Sequence, residues 1–152
     1  MSNENANVKI RKILVGIDGS VYSLKALEFA LGLAKKYDSM LIAFTVFHIP
    51  EIYKILPNKE SYNTISIEDE ILKSKNLLKS IKESSDTHEI STSTEFINSK
   101  STPDIAILEY AQRNEVDHIV LGYRGRSIEN LLIGNMATSV VSKSKCSVTV
   151  VK

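Results

Sequence analysis

The sequence predicts an α/β fold: a single-domain, open, twisted five-stranded parallel sheet with helices on both faces, of the Rossmann-like kind. Three observations carry that expectation. Short apolar runs rich in β-branched residues recur along the chain, and most are too brief and too continuous to be half-exposed strands. Between them lie segments whose apolar residues repeat at helical spacing. The resulting order, β-α-β-α-β-α-β-α-β, calls for right-handed crossovers and therefore for a parallel sheet.

Residues 1–7 are polar and read as a disordered leader, with one folded domain over residues 8–152. The first strand lies within Val8–Ile17, and Ile13–Ile17 is its buried part. Asp18, Gly19 and Ser20 break it, and Ser20 suits a helix N-cap. Leu24, Leu27, Leu31 and Ala34 then mark the buried stripe of a helix over Val21–Tyr37. Ser39–Phe47 forms the second strand. His48–Ile65, with Pro50, Pro57 and Asn58, is longer than an ordinary connector of about 2–6 residues. A capping sequence at Ser66–Asp69 opens a helix with Ile67, Ile71, Leu78 and Ile81 on one face, ending near Ser84. Glu89–Ile97 alternates and reads as a strand. Thr102 before Pro103 is a helix start, and Ile105, Leu108 and Ala111, with Ile107, form the buried side of that helix to about Asn114. His118–Leu121 is the fourth strand, Asn135–Ser142 the last helix and Ser147–Val151 the last strand.

Composition narrows the function. The 152 residues carry 19 basic and 18 acidic side chains, a net charge of +1. That lacks the basic excess from which nucleic-acid binders draw much of their affinity. No apolar run approaches the roughly 20 residues of a membrane helix, and the polar start lacks the apolar core of a secretory signal. One cysteine, Cys146, excludes an internal disulfide and fits a reducing compartment, so a cytoplasmic location is expected.

The stretch Val116–Thr138 holds the candidate site. Gly122 and Gly125 follow a buried strand, and Gly134 precedes a helix. Glycines there permit close approach of backbone to a ligand, and an open helix N-terminus favours an anion. In open parallel sheets ligands sit beyond the carboxyl ends of the strands, where the strand order reverses. Asp18, Val46 and Gly122 all project to that edge. Asp18 would meet ribose hydroxyls or a metal, or would merely cap the first helix or turn. Arg124 and Arg126 could pair with phosphate oxygens or stay solvated. The spacing is neither a dinucleotide fingerprint nor a Walker A loop. No catalytic constellation emerges: His48, His88 and His118 lack metal-ligand spacing, Cys146 has no activating partner, and no G-x-S-x-G elbow occurs.

Ile13–Ser20 (ILVGIDGS) with Ser23 and Ala26, and Asp117–Cys146 followed by Ser147–Val151, resemble the universal stress protein family. The resemblance runs from Lys12 to Lys152, specific at both ends and looser between. It implies an adenine nucleotide α-hydrolase-like fold and a cytoplasmic homodimer joined through the final strand, here Val148, Val150 and Val151. Some members bind ATP and others do not. Binders carry G-x2-G-x9-G-[ST]; here Gly122 and Gly125 match, but residues 126–133 number eight and Asn135 replaces the serine or threonine. By that resemblance Gly16 and Asp18 border ribose and base and Val46 meets adenine. Gly122, Arg124, Gly125, Arg126, Gly134, Asn135, Met136 and Ala137 hold the phosphates. The expectation is an ATP-binding regulatory or sensor module in stress response, with Mg²⁺ or another divalent ion on the phosphates and an unidentified regulatory protein as partner. The shortened loop keeps a second reading open, a member without nucleotide that acts as an interaction dimer, and a slow ATPase is a third.

Overall fold

The computed structural model describes residues 8–49, 64–125 and 133–152. The expected leader and most of the long loop after the second strand lie outside them. The elements are β1 (Lys12–Gly16), α1 (Val21–Tyr37), β2 (Met40–His48), α2 (Thr64–Thr87), β3 (Thr92–Ser99), α3 (Pro103–Arg113), β4 (His118–Gly122), α4 (Asn135–Lys143) and β5 (Ser147–Val151). All five strands pair in parallel, in the order β3-β2-β1-β4-β5. The chain thus builds outward from β1 in one direction, then returns to its other side with β4 and β5. That reversal opens a crevice between the carboxyl ends of β1 and β4, where the flanking connections turn to opposite faces.

Alternate residues of the strands feed two cores. Ile13, Val15, Leu41, Ala43 and Val120 pack with α1 and α2 on one face. Leu14, Ile42, Phe44, Ile119 and Leu121 pack with α3 and α4 on the other. With both faces covered, the central strands have no polar side, which is why they read as continuous apolar runs.

The helices differ from expectation in which stripe they bury. On α1 the fully buried residues are Ser23, Ala26, Ala30 and Ala34, while Leu24 stands 43% exposed and Leu27 and Leu31 only flank the core. On α3 they are Ala106, Ile107 and Ala111, and Ile105 is 40% exposed. The reason is distance: a small-residue stripe lets a helix lie close on a sheet, and larger apolar residues are pushed to its margins. Ser20 caps α1 as expected, accepting from Ser23 N at 3.1 Å. Thr102 occupies the N-cap of α3 but makes no capping bond to the backbone. Its hydroxyl goes to the Asp104 carboxylate, which itself accepts the first amides of the helix. The third strand starts and ends later than expected, at Thr92 and Ser99, because the preceding turn uses Glu89 in a left-handed conformation (φ 58°).

Two further contacts set the edges. A Cβ built on Gly122 would come 2.7 Å from the backbone carbon of Tyr22 and 2.8 Å from its oxygen. The first turn of α1 therefore rests directly on the end of β4. On the outer strand, His118 Nε2 lies 2.8 Å from Thr149 Oγ1, tying β4 to β5 by side chains as well as by the ladder.

These contacts generate two expectations. Gly122→Ala should lower unfolding free energy by about 1–3 kcal/mol, since the atoms in the way are backbone. Gly32→Ala, on an exposed turn of α1 with nothing within 4 Å of the new methyl, should raise it by about 0.5–1 kcal/mol. The urea midpoints should move in opposite directions, and a common direction would contradict one of the two. The second concerns pH. Burial holds the His118 pKa below its usual 6.5, so the unfolded chain takes up that proton first as pH falls. The stability His118 contributes is complete above about pH 6.5 and declines below it. The urea midpoint should drop from pH 7 to pH 5, and His118→Gln should remove part of that slope.

Candidate functional site

At the crevice between β1 and β4 the backbone and side chains enclose a hollow of about 140 Å³. Gly16, Asp18, Val46, Gly122, Arg124, Gly125 and Met136 all line it, so seven residues singled out from sequence converge there. Ile17 and Ser23 join them from the turn into α1, and Phe44, Pro103 and Ile107 add an apolar side. Sequence reading missed these three, because apolar residues on β2 and α3 look the same whether they face a core or a cavity. Ile107 carried the one usable signal, as the apolar residue that fitted the expected stripe least well.

Asp18 sits at the rim with part of its hydrogen bonding already used. Its Oδ1 accepts from Ser20 N at 2.8 Å, so it closes the turn before α1, while Ser20 caps the helix itself. Its Oδ2 would lie 2.9 Å from a Cβ on Gly125. The absence of a side chain at Gly125 thus lets the loop after β4 lie against the carboxylate. Gly16 performs a similar service on the floor, where a Cβ would press on Leu121 Cδ2 at 2.9 Å. Gly122 lines the hollow too, and the space a Cβ would take is filled by Tyr22, so its glycine also serves the packing of α1.

Gly134 is the N-cap of α4, in extended conformation (φ −62°, ψ 149°), and contributes no side chain. Its N–H donates to Tyr123 O at 2.9 Å, which fastens the helix start to the loop after β4. The amides of the first turn, Asn135, Met136 and Ala137, have no acceptor within the helix, and no acidic residue occupies that turn. Of their side chains, Asn135 is exposed, Met136 reaches the hollow and Ala137 is buried in the core. A Cβ on Gly134 would make only ordinary contacts, at 3.6 Å. Arg124 is half-buried, and its Nε is enclosed with no hydrogen-bond partner. Arg126 lies outside the described residues, as does the glycine loop from 126 to 132.

The rest of the candidate chemistry lies elsewhere. His48 Nδ1 is 3.0 Å from Ser99 O, and His88 Nδ1 is 2.7 Å from Ser84 O. Cys146 Sγ lies 3.4 Å from Ser144 Oγ, at the far end of the sheet. A larger hollow of about 340 Å³ also lies at that end, between α3 and the turn into β5. Its described lining holds neither a glycine nor a helix start. Among the described residues no group of three or more His, Cys, Asp or Glu is placed to hold a metal ion, and no helix is long and apolar enough to cross a membrane.

Comparison with known proteins agrees with the architecture. The sequence profile of the universal stress protein family matches residues 9–152. Universal stress protein MJ0531 of Methanocaldococcus jannaschii is 32% identical over 145 residues, spanning 93% of this chain and 82% of that protein. Among solved structures, universal stress protein UspA from Lactobacillus plantarum superposes with a TM-score of 0.81 at 25% identity, covering 96% of this chain and all of the other. Two more distant structures share the fold: a universal stress protein in complex with cAMP (TM-score 0.68, 22% identity, 95% of this chain and 99% of the other) and one from Archaeoglobus fulgidus in complex with dAMP (0.66, 18%, 95% and 100%). The chain belongs to the universal stress protein family.

Proposed function

We propose that this protein is an adenine-nucleotide-binding regulatory module, with ATP as ligand, that works as a homodimer in the cytoplasm. The observation that carries the reading is the hollow at the β1–β4 reversal, which Gly16, Asp18, Val46, Arg124 and Gly125 line together with Met136 in the first turn of α4. Gly16, Asp18 and Val46 would take base and ribose. Arg124, Gly125, Arg126 and the entry of α4 at Gly134, Asn135, Met136 and Ala137 would take the phosphates, with Gly122 holding the end of β4 in place. The fit is supported by the enclosed Arg124 Nε, a donor that a phosphate oxygen would satisfy. A divalent ion would come in on the phosphates. The cAMP and dAMP complexes of proteins with this fold support an adenine nucleotide.

One observation favours a second reading. At about 140 Å³ the hollow is smaller than the roughly 300–1,000 Å³ of most small-molecule sites. A triphosphate would have to run out of it along the loop, where residues 126–133 are one short and Asn135 replaces a hydroxyl. An interaction dimer without nucleotide meets those facts.

Homodimerisation would use the outer edge of β5. Val151 O accepts from Tyr123 N at 2.7 Å, so Val151 faces its neighbour strand. By alternation, the N–H and C=O groups of Val148 and Val150 face the open edge. Such an edge pairs readily with a second strand.

Thermal melting separates the two readings. With Mg-ATP at about 100 times its Kd, the melting temperature should rise by about 5–10 °C, and Asp18→Asn, which keeps an acceptor for Ser20 N, should weaken binding by tenfold or more. An unmoved melt at millimolar ATP would favour the interaction dimer. Val150→Pro removes an outward N–H while leaving the ladder to β4 intact, so it should give folded monomer in sedimentation. A persistent dimer would put the interface elsewhere.

A further inference from the structure

Tyr123 stands where the edge strand, the glycine loop and the last helix meet. Its N–H donates to Val151 O at 2.7 Å, extending the β4–β5 ladder one residue past Gly122. Its C=O accepts from Gly134 N at 2.9 Å, so the same residue holds the cap of α4. Its ring carries two cations. Arg124 Cζ lies 5.4 Å from the ring centroid and Lys152 Nζ lies 5.2 Å from it. The edge of Tyr22 closes in at 6.3 Å between centroids. One of the two cations belongs to the candidate site, and the other to the residue that follows β5.

We propose that Tyr123 couples the hollow to the outer edge of β5, so that an anionic ligand and a second copy of this chain bind cooperatively. The proposal rests on the nucleotide-binding, dimeric reading above and adds how that site is regulated. Each cation is attracted to the ring, and the two repel each other across it. A ligand phosphate that engages the enclosed Arg124 Nε draws the guanidinium away from the ring. Lys152 then holds the ring without competition, and the end of β5 is fixed rather than frayed. Strand pairing works the same linkage in reverse. A second strand on the edge fixes Val151 and Lys152, these fix Tyr123, and the Tyr123 carbonyl fixes Gly134 and the helix amides that would face the anion. Reciprocity follows: the factor by which ligand tightens the dimer equals the factor by which the dimer tightens ligand. Tyr123 acts here as a positioning residue, through Arg124, Lys152 and Gly134.

The test is the dimer dissociation constant from sedimentation equilibrium, with and without saturating Mg-ATP. In the native protein ATP should lower it about tenfold, within the usual range for coupled sites. Tyr123→Phe keeps the ring and both main-chain bonds and should retain the factor. Tyr123→Leu, which removes the ring, and Lys152→Gln, on the exposed chain end, should bring it close to one, with the Lys152 variant still melting like the native protein. Native protein that binds ATP and dimerises with no change in dissociation constant overturns the coupling and leaves the functional reading intact. An undiminished factor in Lys152→Gln does the same. Native protein whose melt is unmoved by ATP overturns the functional reading and the coupling with it.

Discussion

The seat of α1 on the end of β4 is the contact on which the carboxyl edge depends. Tyr22 comes so near Gly122 that no side chain fits between them. That closeness follows from the alanine stripe of α1, since Ala26, Ala30 and Ala34 keep the helix low along its whole length. With α1 held down, Asp18 and Ser20 form the tight turn between β1 and the helix, beside the hollow. A helix riding higher on leucines would lift the Asp18 turn away from Gly125 and split the site in two.

The amino edge is fastened by charge. Asp117 Oδ2 accepts from the backbone amides of Arg11 at 2.8 Å and Lys12 at 2.9 Å, which ties the entry of β4 to the entry of β1. Burial alone would raise its pKa, but the Lys12 and Arg11 amides and the Arg11 guanidinium hold it below the usual carboxylate value. A second carboxylate does similar work between helices. Asp104 accepts from Ser139 Oγ at 2.6 Å and so joins the start of α3 to the middle of α4. There too burial works against the charged form, and the hydrogen bonds from Ser139, Thr102 and the helix amides outweigh it. Both groups have folded-state pKa values below their unfolded ones. Their contribution is therefore present above about pH 4 and lost as pH falls through the folded values. The ionised staples and the neutral His118 thus favour the folded chain on the same, higher-pH side.

Much of this was legible in the sequence, and the parts that were not share a cause. Strand runs and helix periods are local, so α1 falls where periodicity puts it, at Val21–Tyr37, and Ser20 caps it. Asp18, Val46 and Gly122 follow from one topological rule applied to strand ends, Gly125 from the glycine pattern after β4, and Gly16 from the family resemblance. What could not be read was depth. Leucines and alanines share the apolar side of α1, and only the tertiary fit decides that Ala26 and Ala30 go inside and Leu24 out. The same holds for Ile105 against Ile107. Gly122 shows the same limit: glycine at a strand end has two uses, and sequence cannot say that a close helix, Tyr22, also requires it. Thr102 lacks its expected capping bond because the Asp104 carboxylate two residues on accepts the first amides of the helix and the Thr102 hydroxyl as well, a contest between two sound local rules.

Arg124 brings these strands of argument to one point. An enclosed guanidinium nitrogen without an acceptor costs about 1–3 kcal/mol, more for a charged group. The fold has ways to avoid that cost, since an arginine on a loop can turn to water. Instead its charge rests on the Tyr123 ring at 5.4 Å while Nε faces inward. The ring offsets part of the desolvation but offers nothing to the N–H. The first amides of α4 have no acceptor within their own helix, and Asp18 is the acid that lines the hollow with Arg124. A hollow lined by an enclosed arginine donor and a carboxylate suits a ligand that is anionic at one end and carries hydroxyls at the other. That is the charge distribution the nucleotide reading requires.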